Sequence, residues 1–225
     1  YEKQFPDMNF VSPVSGTIKA INRGDRRKIM CIQIESDEQM TYESYEKSDL
    51  KTLSADELIL QLQKVGLWAF IKQRPYDVIA DPTKTPKAIF ISAFESAPLA
   101  PNNDYIIGGQ MDDFQTGIDA LSKIAKVHLG IKHGKKTPFS NVKNAEITSY
   151  EGPHPIGNVG IQINQIAPVN KGEVVWTINP QDVLFIGRFF NKGIIDLSRT
   201  IALVGPSIKS PQYYRTMAGA NIGHL

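Results

Sequence analysis

Few side chains in this sequence are of a type and spacing that could do chemistry. Histidines stand at 128, 133, 154 and 224, far apart and with no carboxylate at ligand spacing, so alone they offer no metal site. One cysteine, Cys31, excludes an internal disulfide and any cysteine-only cluster or zinc site, and fits a reducing compartment. It lies in an apolar stretch and reads as a small core residue rather than a nucleophile. Asp112-Asp113 precedes an amphipathic segment, where negative charge suits the positive end of a helix. There is no Walker loop, no Gly-x-Ser-x-Gly elbow and no His-Glu-x-x-His. No catalytic residue and no metal ligand is assigned.

Two stretches resist a purely structural reading. Gly66-Leu67-Trp68-Ala69-Phe70 follows a helix, and Phe94-Glu95 follows an apolar run, at the strand end where open α/β sheets place ligands. A phosphate cradle needs successive backbone N–H groups close to the anion, which residues without side chains permit. Here Leu67 and Trp68 add bulk instead. Gly66, Trp68, Phe70, Phe94 and Glu95 together suggest an apolar pocket with few polar groups, poorly suited to a dianionic phosphate. The competing reading of these aromatics is ordinary core packing.

Several elements must position these residues. Val14–Ile21 alternates, Asn22-Arg23-Gly24-Asp25 supplies a turn, and Ile29–Ile34 returns as a second strand. The basic run Arg23–Lys28 reads as a solvated hairpin tip, with an anionic partner surface as the alternative. Ser54-Ala55-Asp56-Glu57 has the form of a capping box, Leu58, Leu62 and Val65 mark one helical face, and Gly66 is a natural stop. Ala88–Ala93 is a short continuous apolar run of the buried parallel-strand kind. Phe114, Ile118, Leu121 and Ile124–Ala125 define an amphipathic helix, and Val127–Ile131 is the next strand, with His128 as a packing residue. Strand, helix, strand predicts a right-handed βαβ unit in an open sheet. Further on, Val174–Ile178 is apolar, Asp182–Phe190 is apolar with a helix left open, and Ile201–Val204 reads as a strand ending at Gly205-Pro206.

The 225 residues allow one or two domains. Lys and Arg total 25 against 23 Asp and Glu, a formal charge of +2, which removes the case for a nucleic-acid binder driven by bulk charge. No apolar run approaches the ~20 residues needed to cross a bilayer, and no signal peptide opens the chain. The first residue is Tyr, and 218–225 stop where a new helix is due, so the sequence reads as a soluble, intracellular piece of something longer.

Ser92-Ala93-Phe94-Glu95-Ser96-Ala97-Pro98, with the eroded glycine stretch before it, resembles the flavin-binding core of the NADH-binding subunit of respiratory complex I and of the Rnf complex C subunit. Glu95-Ser96 and Pro98 match that motif; Phe94 replaces its acidic residue, and Gly66 alone remains of its glycine loop. The whole chain more closely resembles the A-subunit family of bacterial Na+-translocating NADH:quinone reductases. That resemblance rests on Ser12–Ile18 with Ala20–Gly24, Gly66–Tyr76, Ile79–Thr83, Pro86–Pro101, Gly152–Pro155, Val175–Asn179 with Gln181–Val183, and Ala202–Pro206.

The resemblance implies an α/β plus β fold in three parts. Residues 1–48 would be a partial barrel-sandwich domain of biotinyl/lipoyl type, without a carrier-lysine hairpin. Residues 49–198 would be a Rossmann-like α/β domain with a degenerate flavin loop, and 199–225 the start of a β-grasp domain. It implies a cofactor-free peripheral subunit on the cytoplasmic face of the bacterial inner membrane, contributing to complex assembly and to quinone interaction, for which Gly66, Trp68, Phe70, Phe94 and Glu95 would form the pocket. NADH, quinone and Na+ would be used by the whole complex, and the partners would be its other subunits, membrane subunits among them, with quinone and without nucleic acid. The isolated stretch would not be catalytic by itself. A working FMN- and NADH-binding subunit, and a scaffold without ligand, are the alternatives.

Overall fold

The computed structural model describes residues 5–224; residues 1–4 and Leu225, which open and close the expected outer parts, lie outside it, as does the side chain of His224. Strands β1 (Gly16–Arg23) and β2 (Ile29–Ser36) form an antiparallel hairpin. Helix α1 (Ala55–Lys64) begins at the expected capping box: the Ser54 hydroxyl accepts from the Glu57 N–H while the Glu57 carboxylate accepts from the Ser54 N–H. Gly66 then adopts a left-handed φ of 74°, as a residue closing a helix must, and a single 3-10 turn over Leu67–Phe70 follows.

Beyond it lie β3 (Lys72–Arg74), β4 (Val78–Ile79), β5 (Ile89–Ser92), α2 (Asn103–Ile107), α3 (Met111–Ile124), β6 (Val127–Lys132) and β7 (Glu146–Tyr150). The chain continues through α4 (Val159–Ile166), β8 (Val175–Thr177) and α5 (Pro180–Lys192) to a second hairpin, β9 (Ser198–Leu203) and β10 (Gln212–Met217). Asp182–Phe190, whose composition leaves its form open, is therefore helix. Asn179 caps it through the Gln181 N–H, Pro180 fills its first turn, and Gly193 closes it.

Six strands make one sheet in the order β4-β3-β8-β5-β6-β7. The β8-β5-β6-β7 pairs are parallel, with Ile89 opposite Val127 and Phe90 opposite His128, whereas β3 runs antiparallel to both β8 and β4. Strand β5 is buried on both faces, which explains its unbroken apolar run. Its period of two sends Ile89 and Ile91 into the large core with Leu58, Phe114 and Phe185, and Phe90 to the other face with Ile163 of α4. His128 is buried and stacks on Phe90 with ring centroids 4.8 Å apart. Helices α3 and α5 cross closely enough that a Cβ on Gly187 would lie 1.7 Å from the Asp113 carbonyl oxygen, and one on Gly117 2.4 Å from that of Val183.

One expectation fails. Cys31 is exposed, because no residue of β1 or β2 is fully buried and no layer of the described residues covers the hairpin.

Candidate functional site

The carboxyl ends of β5 and β8 open onto a cavity of about 570 Å³. Each wall comes from a different element. Ser92 ends β5, and Glu95 and Ser96 follow it; Thr177 ends β8, and Ile178 follows it; Asn179, Pro180 and Asp182 begin α5; Asn158 and Val159 begin α4; Phe70, Lys72 and Arg74 stand where the 3-10 turn passes into β3. Such a crevice, where parallel strands end and helices begin, is the usual ligand position of open α/β sheets.

Its groups are mixed in character. Arg74 Nε lies 3.3 Å from the Asp77 carboxylate, and Asp182 is ion-paired with Arg199 of β9. Burial pushes the Asp182 carboxyl up to about 6, outweighing the opposite pull of Arg199 and Lys72. Burial also raises the Glu95 carboxyl, against the charge of His154. Ser96 Oγ lies 3.0 Å from His154 Nδ1 and accepts the Gly157 N–H at 2.9 Å, clasping the loop after β5 to the loop before α4. Beneath them Gln162 donates to the buried Ser92 hydroxyl at 2.8 Å. The apolar share comes from Phe70, Ala69, Val159, Ile178 and Pro180.

Of the five residues singled out from the sequence, the cavity brings together Phe70 and Glu95. Phe70 is half-buried, its ring edge-on to Phe185 at 5.1 Å. Gly66 is buried on the far side against Val11. Trp68 is wholly buried, donates its indole N–H to the Ala80 carbonyl at 2.8 Å and meets Trp176 edge-on at 5.1 Å. Phe94 turns away and stacks on Tyr150, lining two neighbouring clefts. Lys72, His154, Asp182 and Ser96 are not among the five. Asn179-Pro180, a cap followed by a first-turn proline directly after an apolar strand, is the one local signal that would have placed a helix start, and so Asp182, at this sheet end. Among the described residues no three His, Cys, Asp or Glu side chains converge to hold a metal, and no helix is long and apolar enough to cross a membrane.

Comparison with known proteins gives the arrangement a family. Residues 53–195 match the NqrA second alpha/beta domain, 1–37 the NqrA N-terminal barrel-sandwich hybrid domain, and 200–225 the NQRA C-terminal domain. Proteins named as the A subunit of Na(+)-translocating NADH-quinone reductase align over all of the chain: one from Histophilus somni (strain 129Pt) at 36% identity, one from Vibrio vulnificus (strain YJ016) at 36%, and one from Pseudomonas aeruginosa (strain UCBPP-PA14) at 34%. The chain covers 51% of each, about half their length. A crystal structure of an NAD+-reducing [NiFe]-hydrogenase shares the fold, with a TM-score of 0.50 and 12% identity over 80% of this chain and 42% of that one. With more than half of its residues inside one of these domain models and full-length alignment to such relatives, the chain belongs to the NqrA family, the A subunits of the Na+-translocating NADH-quinone reductases.

Proposed function

We propose that this chain is part of a peripheral subunit of a Na+-pumping NADH:quinone oxidoreductase, one that carries no flavin or cluster of its own and contributes to quinone interaction and to assembly. In this reading residues 1–48 are a partial barrel-sandwich domain, 49–198 a Rossmann-like domain and 199–225 the beginning of a β-grasp domain. The subunit sits on the cytoplasmic face of the bacterial inner membrane against the membrane subunits of the complex, which as a whole uses NADH, quinone and Na+.

The observation that carries the quinone part is the cavity at the ends of β5 and β8. Its volume of about 570 Å³ suits a substituted ring. Phe70, Val159 and Ile178 offer apolar contact, while Glu95, Ser96, His154 and Lys72 offer hydrogen bonds at its edges. Of the five residues expected from the sequence, Phe70 and Glu95 line this cavity. The packing of the stretch after α1 argues against a flavin-phosphate cradle there. Leu67 and Trp68 there are wholly buried in the core, and the Ile71 N–H is already taken by the Trp68 carbonyl.

Titration with ubiquinone-1, followed by the fluorescence of Trp68 and Trp176 behind the cavity wall, tests the reading. A saturable change, weakened by Phe70→Ala, is expected. No change at millimolar quinone would leave a scaffold without ligand, and flavin co-purifying in stoichiometric amount would restore the flavin-binding alternative.

A further inference from the structure

Glu95, Ser96 and His154 belong to two cavities at once. They line the 570 Å³ cavity at the sheet end, and they also line a cleft of about 470 Å³ on its outer side, walled by Lys132, His133 and Glu151. The Ser96–His154 contact and the Gly157 N–H fix this partition in place. Glu95 is the carboxyl on it, exposed and lining both spaces.

We propose that Glu95 is a proton-exchanging, ligand-selecting group, which offers an O–H to a ring carbonyl when protonated and accepts an O–H from a ring hydroxyl when ionised. The inference rests on the quinone reading of the cavity. A quinone presents only acceptor oxygens, so an ionised carboxylate beside one repels it and a carboxylic acid binds it. A hydroquinone presents a donor, and the preference reverses. The cavity thereby distinguishes the oxidised from the reduced ring according to pH. Glu95 takes up and releases its proton through the outer cleft, with no bond made or broken in the ligand.

The surrounding charges leave Glu95 free for this. Across the cavity, Asp77 is paired with Arg74, and Asp182 is paired with Arg199 but titrates at about 6, inside the range tested, so it is replaced by Asn in the comparison below. Lys72 stands at the far wall and makes no ion pair among the described residues. On the outer side His133 lies 4.0 Å from Glu151 with Lys132 beside them, and in a further cleft that Glu95 lines Lys135 is paired with Asp104 at 2.8 Å. Among the charges acting on Glu95, His154 opposes the effect of its burial. Removing His154 must therefore move the Glu95 titration to higher pH.

The test is a pair of titrations of the intact chain between pH 4.5 and 8.5, one with ubiquinone-1 and one with ubiquinol-1 under reducing, oxygen-free conditions. Wild type is expected to lose ubiquinone-1 affinity with rising pH by up to about tenfold per unit above the Glu95 titration, the slope of one linked proton. Ubiquinol-1 affinity should instead rise with pH below that titration and level off above it. In an Asp182→Asn background, which removes the other carboxyl titrating in this range, Glu95→Gln should remove both slopes, and His154→Ala should carry the midpoint to higher pH without removing them. Failure of both probes to bind at any pH overturns the quinone reading and this inference with it. Binding whose affinity does not change with pH, or whose slopes survive Glu95→Gln, overturns this inference alone.

Discussion

Asp182 on the cavity wall is ion-paired with Arg199 of β9, while its neighbour Gln181 exchanges two hydrogen bonds with Thr200 on the same strand, at 3.0 and 2.9 Å. The first turn of α5 and the β9–β10 hairpin are thereby one unit. The arrangement has a cost visible in pH. Burial lifts the Asp182 carboxyl from 3.8 to about 6, so the folded state holds a proton there that the unfolded chain releases. Stability from this residue is fully present below pH 3.8 and is lost as pH rises through about 6. Two units correspond to about 3 kcal/mol. Asp182→Asn should match wild type at the acid end of that window and exceed it by up to that amount near neutrality, measured by urea unfolding at both ends.

Trp68 makes a different prediction because its place is the core and not the cavity. Its indole N–H satisfies the Ala80 carbonyl, and its ring meets Trp176. Trp68→Phe leaves that buried carbonyl short of a partner, at about 1–3 kcal/mol, and should lower the urea midpoint accordingly. Ubiquinone-1 affinity of the folded variant, followed by ligand-observed NMR, should stay as in wild type. Phe70→Ala should do the reverse in emphasis, weakening ligand binding through the lost cavity wall.

The contrast between Trp68 and Phe70 marks how far the sequence is legible. Local patterns are reliable where the answer is local: Ser54 and Glu57 announce α1, the spacing of Phe114, Ile118 and Leu121 announces α3, and the apolar run at Ile89–Ser92 announces a doubly covered strand. The cavity is not local. Lys72, Glu95, His154 and Asp182 lie on four segments far apart along the chain, and only the tertiary fold, set by the sheet order, brings them together. Bulk at 67 and 68 suggests a filled ligand site, yet the 3-10 turn rotates Leu67 and Trp68 inward and only Ala69 and Phe70 toward the cavity. A difference of a single residue in phase, which composition cannot specify, decides between core and site.

The crossing of α3 and α5 sets a steric limit. Beside Gly187 and Gly117 the obstacle is backbone carbonyl oxygen, which cannot swing aside as a long side chain would. Alanine would gain about 1 kcal/mol of helix propensity at either position, but forcing the helices apart costs about 1–3 kcal/mol or more. Packing wins where the overlap is deepest. Gly187→Ala should therefore lower the thermal midpoint and Gly117→Ala should lower it less, in step with gaps of 1.7 and 2.4 Å to the opposing oxygens.

Cys31 gives the simplest check of the first hairpin. The apolar stretch Ile29–Ile34 argues for a covered strand, but pairing with β1 alone covers neither face, and Ile29, Met30 and Ile32 are 50%, 64% and 47% exposed. The same lack of a covering layer among the described residues leaves the thiol open. In the native protein, with no denaturant, Ellman's reagent should titrate one thiol per chain, and a bulky maleimide should react at a similar rate. A thiol that reacts only after unfolding would mean that the β1–β2 face is covered in solution, by residues 1–4 or by a second copy, which the chain's sedimentation with and without those four residues would distinguish.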